Sequence, residues 1–257
     1  MDLNTKTINT WCPGCTNFFI LNSFKMAIEE LVKEKKLKSK DMLTMVSGIG
    51  CHGKISDYVK VNSMISLHGR EVPTMTGIKA ANPNLTVVGF TGDGSAYDEG
   101  ISHWIHAAKR NTDVSLFIHN NQLFALTTGQ ATATSRKGFR GKSTPDGNVE
   151  EPLNPLALAL EAGATFVART FSLEMQKTKE IMKRAMLHPG FAMVDIMQPC
   201  ITFNDTREEF KKNSYWLDES FPTNNETEAL KKIKETGDKL AMGVFFEKNL
   251  NVFEKMI

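Results

Sequence analysis

Short apolar runs, each stopped by a glycine- or asparagine-bearing turn, constrain this chain more than any other feature. Met42–Val46 runs into Ser47-Gly48-Ile49-Gly50, Leu85–Phe90 into Thr91-Gly92-Asp93-Gly94, and Val114–Ile118 into Asn120-Asn121. The stretches between and around them carry a helical period. Residues 17–32 put Ile20, Phe24, Ala27 and Leu31 on one face, and residues 98–110 put Ile101, Trp104, Ile105 and Ala108 on another. Leu156–Glu161 and Leu173–Leu187 predict further helices, and Thr165–Ala168 and Phe191–Met197 further strands. Strand, helix, strand repeated in this way predicts an α/β fold, a mostly parallel sheet with helices on both faces. In such sheets ligands bind outside the carboxyl ends of the strands, where the polar turns at Gly50, Asp93 and Asn121 fall.

Two segments break the rhythm. Gly129 to Leu153 is long, polar and without apolar periodicity, and a loop of that length in a compact domain is usually functional or disordered. From Trp216 the composition shifts, and a helix is expected over Glu226–Glu235, ended by Gly237. Residues 1–215 therefore read as the main domain and 216–257 as a C-terminal appendage packed on it. Charge narrows the function classes: 31 Lys and Arg against 29 Asp and Glu leave +2, which argues against a nucleic-acid or anionic-membrane binder. The longest apolar stretch, Leu240–Phe246, falls far short of the roughly 18 residues that span a bilayer. Met1–Thr10 has no basic start followed by an apolar run, so the expected location is the cytoplasm.

Two constellations carry chemistry. Gly92-Asp93-Gly94 and Asn120-Asn121 end neighbouring strands one helix apart, a pattern suited to a magnesium diphosphate. Magnesium takes about six oxygen ligands and mixes one or two carboxylates with phosphate oxygens and water. Asp93 offers the carboxylate, Asn121 the amide oxygen and Leu123 a backbone carbonyl, while the glycines let N–H groups approach phosphate oxygens. The second constellation is four cysteines, a Cys12-x-x-Cys15 pair with Cys51 and Cys200 standing alone. In a reducing compartment such thiols bind metal or do thiolate chemistry more often than they form structural disulfides. A zinc ribbon would need a second C-x-x-C, so the candidate is a four-thiolate site drawn from three segments. Zinc and an iron–sulfur cluster both accept such a set, and four unrelated buried thiols would leave the same sequence. His103 and His106 lie on the polar side of their helix and are assigned no role.

The Gly-Asp-Gly and Asn-Asn pairing resembles the thiamine diphosphate motif. With Trp11-Cys12-Pro13-Gly14-Cys15, Gly48-Ile49-Gly50-Cys51, His68-Gly69-Arg70, Thr76-Gly77-Ile78-Lys79, Thr128-Gly129-Gln130, Asn154-Pro155-Leu156-Ala157, Phe166-Val167-Ala168-Arg169, Gln198-Pro199-Cys200 and Met242-Gly243-Val244-Phe245-Phe246, the chain is similar to the beta subunit of the 2-oxoacid:ferredoxin oxidoreductases. The resemblance runs along most of the chain and implies the thiamine diphosphate-binding fold. It makes Cys12, Cys15, Cys51 and Cys200 the ligands of one 4Fe-4S cluster. Ile49, Gly50, Cys51 and His52 would border thiamine diphosphate, Gly94 and Ser95 would meet its diphosphate, and Ala125 and Leu126 would line it beyond Asn121. Lys54, His68 and Arg70 are candidate anion contacts, with ordinary surface and loop residues as the alternative. Two positions depart from the family: His52 stands where a small residue is commoner, and Thr128 where some members carry a lysine that contacts coenzyme A. The resemblance therefore does not extend to that coenzyme A contact.

The implied reaction is oxidative decarboxylation of a 2-oxoacid to its acyl-CoA, with electrons leaving through the cluster to ferredoxin. No acid or base in this chain stands out as a proton carrier. The activating glutamate would come from an alpha subunit with a pyrimidine-binding domain, for which 257 residues leave no room. Pyruvate, 2-oxoglutarate and branched-chain acids all fit, because the discriminating contacts are expected largely in that partner. The competing readings are a non-redox thiamine diphosphate subunit, transketolase- or acetolactate synthase-like, with a structural zinc on the four cysteines, and a non-catalytic electron-transfer or zinc-stabilised protein.

Overall fold

The computed structural model describes residues 1–235 and 239–256. Its strands are β1 (Leu43–Ser47), β2 (Asn62–Ile65), β3 (Thr86–Gly92), β4 (Ser115–Asn120), β5 (Phe166–Phe171), β6 (Ala192–Met197), β7 (Ser214–Trp216) and β8 (Leu240–Glu247). Its helices are α1 (Asn17–Lys33), α2 (Glu71–Ala81), α3 (Ile101–Arg110), α4 (Pro155–Glu161), α5 (Met175–Leu187), α6 (Arg207–Asn213) and α7 (Glu226–Ile233). The strands form one sheet in the order β2-β1-β3-β4-β6-β5-β8-β7, parallel throughout except where β8 runs antiparallel to β5. Among the described residues no helix is long and apolar enough to cross a membrane.

Strand alternation divides the core into two layers. On β4, Phe117 joins the layer under α1 and α5, while Leu116 and Ile118 join the layer under α2, α3, α4 and α7. The expected helix faces pack as predicted: Ile20, Phe24, Ala27 and Leu31 of α1 are at most 1% exposed, and Trp104 of α3 is fully buried. Both faces of the central strands are thus covered, and β3, β4, β5 and β6 are buried almost throughout.

Local chemistry sets the element ends. Asn154 caps α4 by accepting from the Ala157 N–H at 3.2 Å, and Asn225 caps α7 through the Glu228 N–H at 3.2 Å. Gly237, the expected end of that last helix, lies outside the described residues. The helix expected to start near Asp98 instead begins at the Gly92-Asp93-Gly94 turn, with a π-helical turn over Gly94–Glu99 leading into α3. Five elements were not anticipated: β2, α2, α6, β7 and β8. Of these, β8 lies inside the sheet, hydrogen-bonded between β5 and β7, and β7 straddles the division expected at residue 215.

Candidate active site

β1 sends the chain outward to β2 on one side, while β3 on its other side leads to β4. The crevice between the carboxyl ends of β1 and β3 is the place where connections leave in opposite directions, the usual ligand position in such sheets. One cavity opens there. It is lined by Ile49, Gly50, Cys51 and His52 after β1, by Gly92, Asp93, Gly94 and Ser95 after β3, and by Asn121, Leu123, Ala125 and Leu126 after β4. Every residue expected to border the cofactor or its magnesium therefore faces a single crevice. Glycine is required here: a Cβ on Gly94 would overlap the Phe124 ring, and one on Gly92 would come within 2.6 Å of His52 Nδ1. The N–H groups that open the π-helical turn at Gly94 give the cavity floor the character of an anion site.

Asp93 is 1% exposed, and among the described residues no cation pairs with it. Burial pushes its carboxyl up to about 7, against hydrogen bonds from Thr132 Oγ1 (2.6 Å), Thr134 Oγ1 (3.0 Å) and the Asn121 N–H (3.4 Å). A buried carboxylate held in one orientation without a counter-charge fits a hard divalent cation. Asn121 is oriented to match: its Nδ2 donates to Gln198 Oε1 at 3.0 Å, leaving Oδ1 with one long bond, 3.3 Å, from the Leu123 N–H. Asn120 Oδ1 lies 3.1 Å from Thr134 Oγ1 and shares that hydroxyl's one proton with Asp93, and Asn120 Nδ2 donates to the buried Asp195 (3.0 Å), which also accepts from Tyr97 and Arg169. The two hydroxyl donors to Asp93 come from the long polar segment after Gly129, which folds back over the strand ends.

The four cysteines face a second cavity with Thr10, Trp11, Lys54, Gln198 and Phe203. Burial pushes the Cys15 thiol up to about 11; the Asn17 backbone pulls against this, and Cys51, Cys200 and Cys12 add to the rise. Burial also raises Cys51, opposed by the charge of Lys54. Three segments are locked together around the thiols. Trp11 Nε1 donates to the Cys51 carbonyl at 2.6 Å, Thr16 Oγ1 to the Pro199 carbonyl at 2.8 Å, and Gln198 Nε2 to Thr16 Oγ1 at 2.6 Å. Among the described residues no three His, Cys, Asp or Glu converge on one ion. Four thiols around a shared cavity are a donor set that a zinc ion and an iron–sulfur cluster both accept. Cys51, Asn121, Ala125 and Leu126 line both cavities and form the wall between them.

The three anion candidates separate. His68 lines the crevice, and its Nδ1 has no partner among the described residues. Lys54 lines the cysteine cavity instead, donating to the Thr10 carbonyl at 3.2 Å. Arg70 is exposed and lines neither cavity, because its Nη1 is spent on the carbonyls of Gly69 and Glu99, both at 3.2 Å. Thr128 lies on the cysteine cavity, in the left-handed region at φ 77°. Reading by motif missed Thr132, Thr134, Gln198 and Glu71. Gln198, beside Pro199-Cys200, was the nearest to being found.

A doubly wound sheet with a crevice at this switch point, a buried acid and an amide on adjacent strand ends is an arrangement that suits a thiamine diphosphate-enzyme domain. The model of the thiamine pyrophosphate enzyme C-terminal TPP binding domain matches residues 42–196, and that of the C-terminal part of the pyruvate ferredoxin oxidoreductase beta chain matches residues 200–257. The chain is 39% identical to the 2-oxoacid:ferredoxin oxidoreductase subunit beta of Saccharolobus solfataricus, over 97% of this chain and 85% of that one. It is 40% identical to subunit beta of 2-oxoacid:ferredoxin oxidoreductase 1 of Aeropyrum pernix, over 94% and 79%. The solved 2-oxoglutarate:ferredoxin oxidoreductase from Magnetococcus marinus, with 2-oxoglutarate, coenzyme A and succinyl-CoA bound, superposes with a TM-score of 0.95 at 33% identity, over 99% of this chain and 86% of that one. The chain belongs to the beta subunits of the 2-oxoacid:ferredoxin oxidoreductases, and so works with an alpha subunit.

Proposed function

We propose that this beta subunit holds magnesium and the diphosphate of thiamine diphosphate in the β1/β3 crevice, and one 4Fe-4S cluster on Cys12, Cys15, Cys51 and Cys200. With its alpha subunit it oxidatively decarboxylates a 2-oxoacid, forms the acyl-CoA and passes electrons through the cluster to ferredoxin. The observation that carries this reading is the shared wall: Cys51 lines both cavities, so cofactor and cluster would stand next to each other with only Cys51, Asn121, Ala125 and Leu126 between.

Thiamine diphosphate, when bound, supplies the electron sink that lets the substrate carboxylate leave as carbon dioxide. The chain's own residues position and insulate. Asp93 and the Asn121 amide oxygen would hold the magnesium, with Thr132, Thr134 and Gln198 fixing their orientation. The Gly94 and Ser95 N–H groups would bind diphosphate oxygens. Ile49 and Leu126, apolar and partly exposed at the crevice mouth, would exclude water once the alpha partner packs over them. His52 and His119 lie beneath with their rings 6.2 Å apart; burial pulls His119 down to about 3 and His52 well below its ordinary value, so both stay neutral.

The test is iron, acid-labile sulfide and zinc per chain on anaerobically purified complex, with an EPR spectrum after dithionite. About four irons and four sulfides with a reduced-cluster signal is the expected result. Stoichiometric zinc without sulfide would overturn the redox reading.

A further inference from the structure

Glu71, the first residue of α2, is 2% exposed and reaches under the crevice. Its Oε1 accepts from Ser95 Oγ at 2.6 Å and from Thr91 Oγ1 at 3.1 Å. A Cβ on Gly48 would overlap that oxygen and approach His52 Nε2 to 3.1 Å, so the carboxyl lies against the backbone after β1. Among the described residues no lysine or arginine pairs with it. The titratable groups facing it are His52, from the segment after β1, and His68, from the segment before α2. His52 is held neutral by burial and Arg70 is turned to carbonyls, which leaves the charge of His68 as a minor opposition to burial at the Glu71 carboxyl.

Ser95 is the pivot. Its hydroxyl has one proton and two acceptor sites. It accepts from the Gly69 N–H at 3.0 Å and gives its proton to Glu71, while its side also lines the crevice. The 2.6 Å separation is a short hydroxyl–carboxyl hydrogen bond, within the range of a hydroxyl donating to a carboxylate. A diphosphate oxygen only accepts, so the Ser95 hydroxyl, as distinct from the Ser95 N–H, can serve it only by withdrawing its proton from Glu71. That would leave a buried carboxylate without its best donor and one hydroxyl away from further negative charge, an expensive arrangement.

We propose that diphosphate binding at Gly94–Ser95 is coupled to uptake of one solvent proton by Glu71, which then donates to Ser95 Oγ and turns the Ser95 hydroxyl toward the diphosphate. The inference rests on the thiamine diphosphate reading and makes Glu71 a positioning residue acting through Ser95. Every valence closes: Glu71 O–H donates to Ser95 Oγ, the Gly69 N–H keeps its acceptor, and Ser95 O–H meets a phosphate oxygen. Burial already holds the Glu71 carboxyl above the usual carboxylate range, opposed by the Ser95 and Thr91 hydroxyls. Binding removes the Ser95 opposition.

The experiment is calorimetric titration of the apo alpha–beta complex with magnesium thiamine diphosphate, in buffers of different ionisation enthalpy, for wild type and E71Q. Wild type is expected to take up one proton more than E71Q. Above the Glu71 pKa of the free protein, the ratio of wild-type to E71Q Kd rises up to about tenfold per pH unit. Equal proton uptake and a pH-independent ratio would overturn the inference and leave the thiamine diphosphate site standing. Absence of binding by wild type would overturn both. Infrared difference spectra of wild type give a reading that needs no variant: a protonated-carboxyl band appearing on binding supports the proposal, and its absence overturns it.

Discussion

The two cavities share a wall but are built on opposite principles. The crevice grows from the ends of neighbouring strands, so Asp93 and Asn121 are placed by the same ladder that holds the sheet together, with Gly92 in register with His119. The cysteine cavity borrows its thiols from the N-terminal segment, the turn after β1 and the turn after β6, and no cysteine lies within a strand or helix. Cys12 is exposed, whereas Asp93 is buried. The crevice is preorganised by the fold, while the cysteine cavity is tied by side-chain bonds from Trp11, Thr16 and Gln198 and would be closed by its ligand.

The contrast predicts a double dissociation, the largest effect expected. Asp93→Asn or Asn121→Ala should lower 2-oxoacid-dependent ferredoxin reduction by more than about 100-fold, since even outer partners of a metal site are worth 10–100-fold. Iron content should stay unchanged. Cys12→Ser should do the reverse, losing iron and sulfide while magnesium thiamine diphosphate still binds. Both variants losing both groups would show that the cavities are one folding unit and break the comparison.

A smaller effect is expected where the two sites touch. Gln198 bonds Asn121 on the crevice side and Thr16 and Pro199 on the cysteine side. Gln198→Ala should weaken magnesium binding about 10–100-fold, measured by titration of the apo complex, and lower the iron count far less, since the Trp11 and Thr16 bonds still tie the cysteine cavity. Unchanged magnesium affinity would mean that the Asn121 amide needs no orienting partner.

The mildest effect concerns stability in chelator-treated protein. The Asp93 carboxyl is raised by burial to about 7 from 3.8, so between those values the folded state binds more protons than the unfolded chain. Stability contributed by the protonated form is full below pH 3.8 and is lost as pH rises toward 7. Asp93→Asn should flatten that decline and melt a few degrees above wild type at pH 8, an increment of about 2–4 °C per kcal/mol for a chain of this size. An equal pH dependence in both proteins would show that Asp93 is not the group responsible.

Elements with strong local periodicity were legible in the sequence, and elements defined by distant partners were not. The α1 face and the β3 and β4 runs carry their own signal. By contrast, α2 holds Pro73 in its first turn and Gly77 in its middle, which mask the helical pattern, although proline at a helix start costs little. All four residues of β2 are exposed, so no apolar alternation marks it. Site legibility follows the same rule. Asp93, Asn121 and the cysteines sit in motifs, whereas Thr132 and Thr134 reach Asp93 from a segment with no period, and Glu71 comes from an unrecognised helix. Arg70 illustrates the converse: its motif was visible, but its guanidinium serves backbone carbonyls.

The position of β8 has a consequence for how the polypeptide is made. Ribosomes deliver the N-terminus first, at about 5–20 residues per second. The β5 edge with Phe166, Val167 and Ala168 is synthesised long before Phe246 and Val244, the residues that pair with it. For several seconds the nascent sheet carries an open, greasy border, the kind that recruits stray strands. Truncations that remove the last strand should therefore aggregate rather than accumulate as soluble fragments.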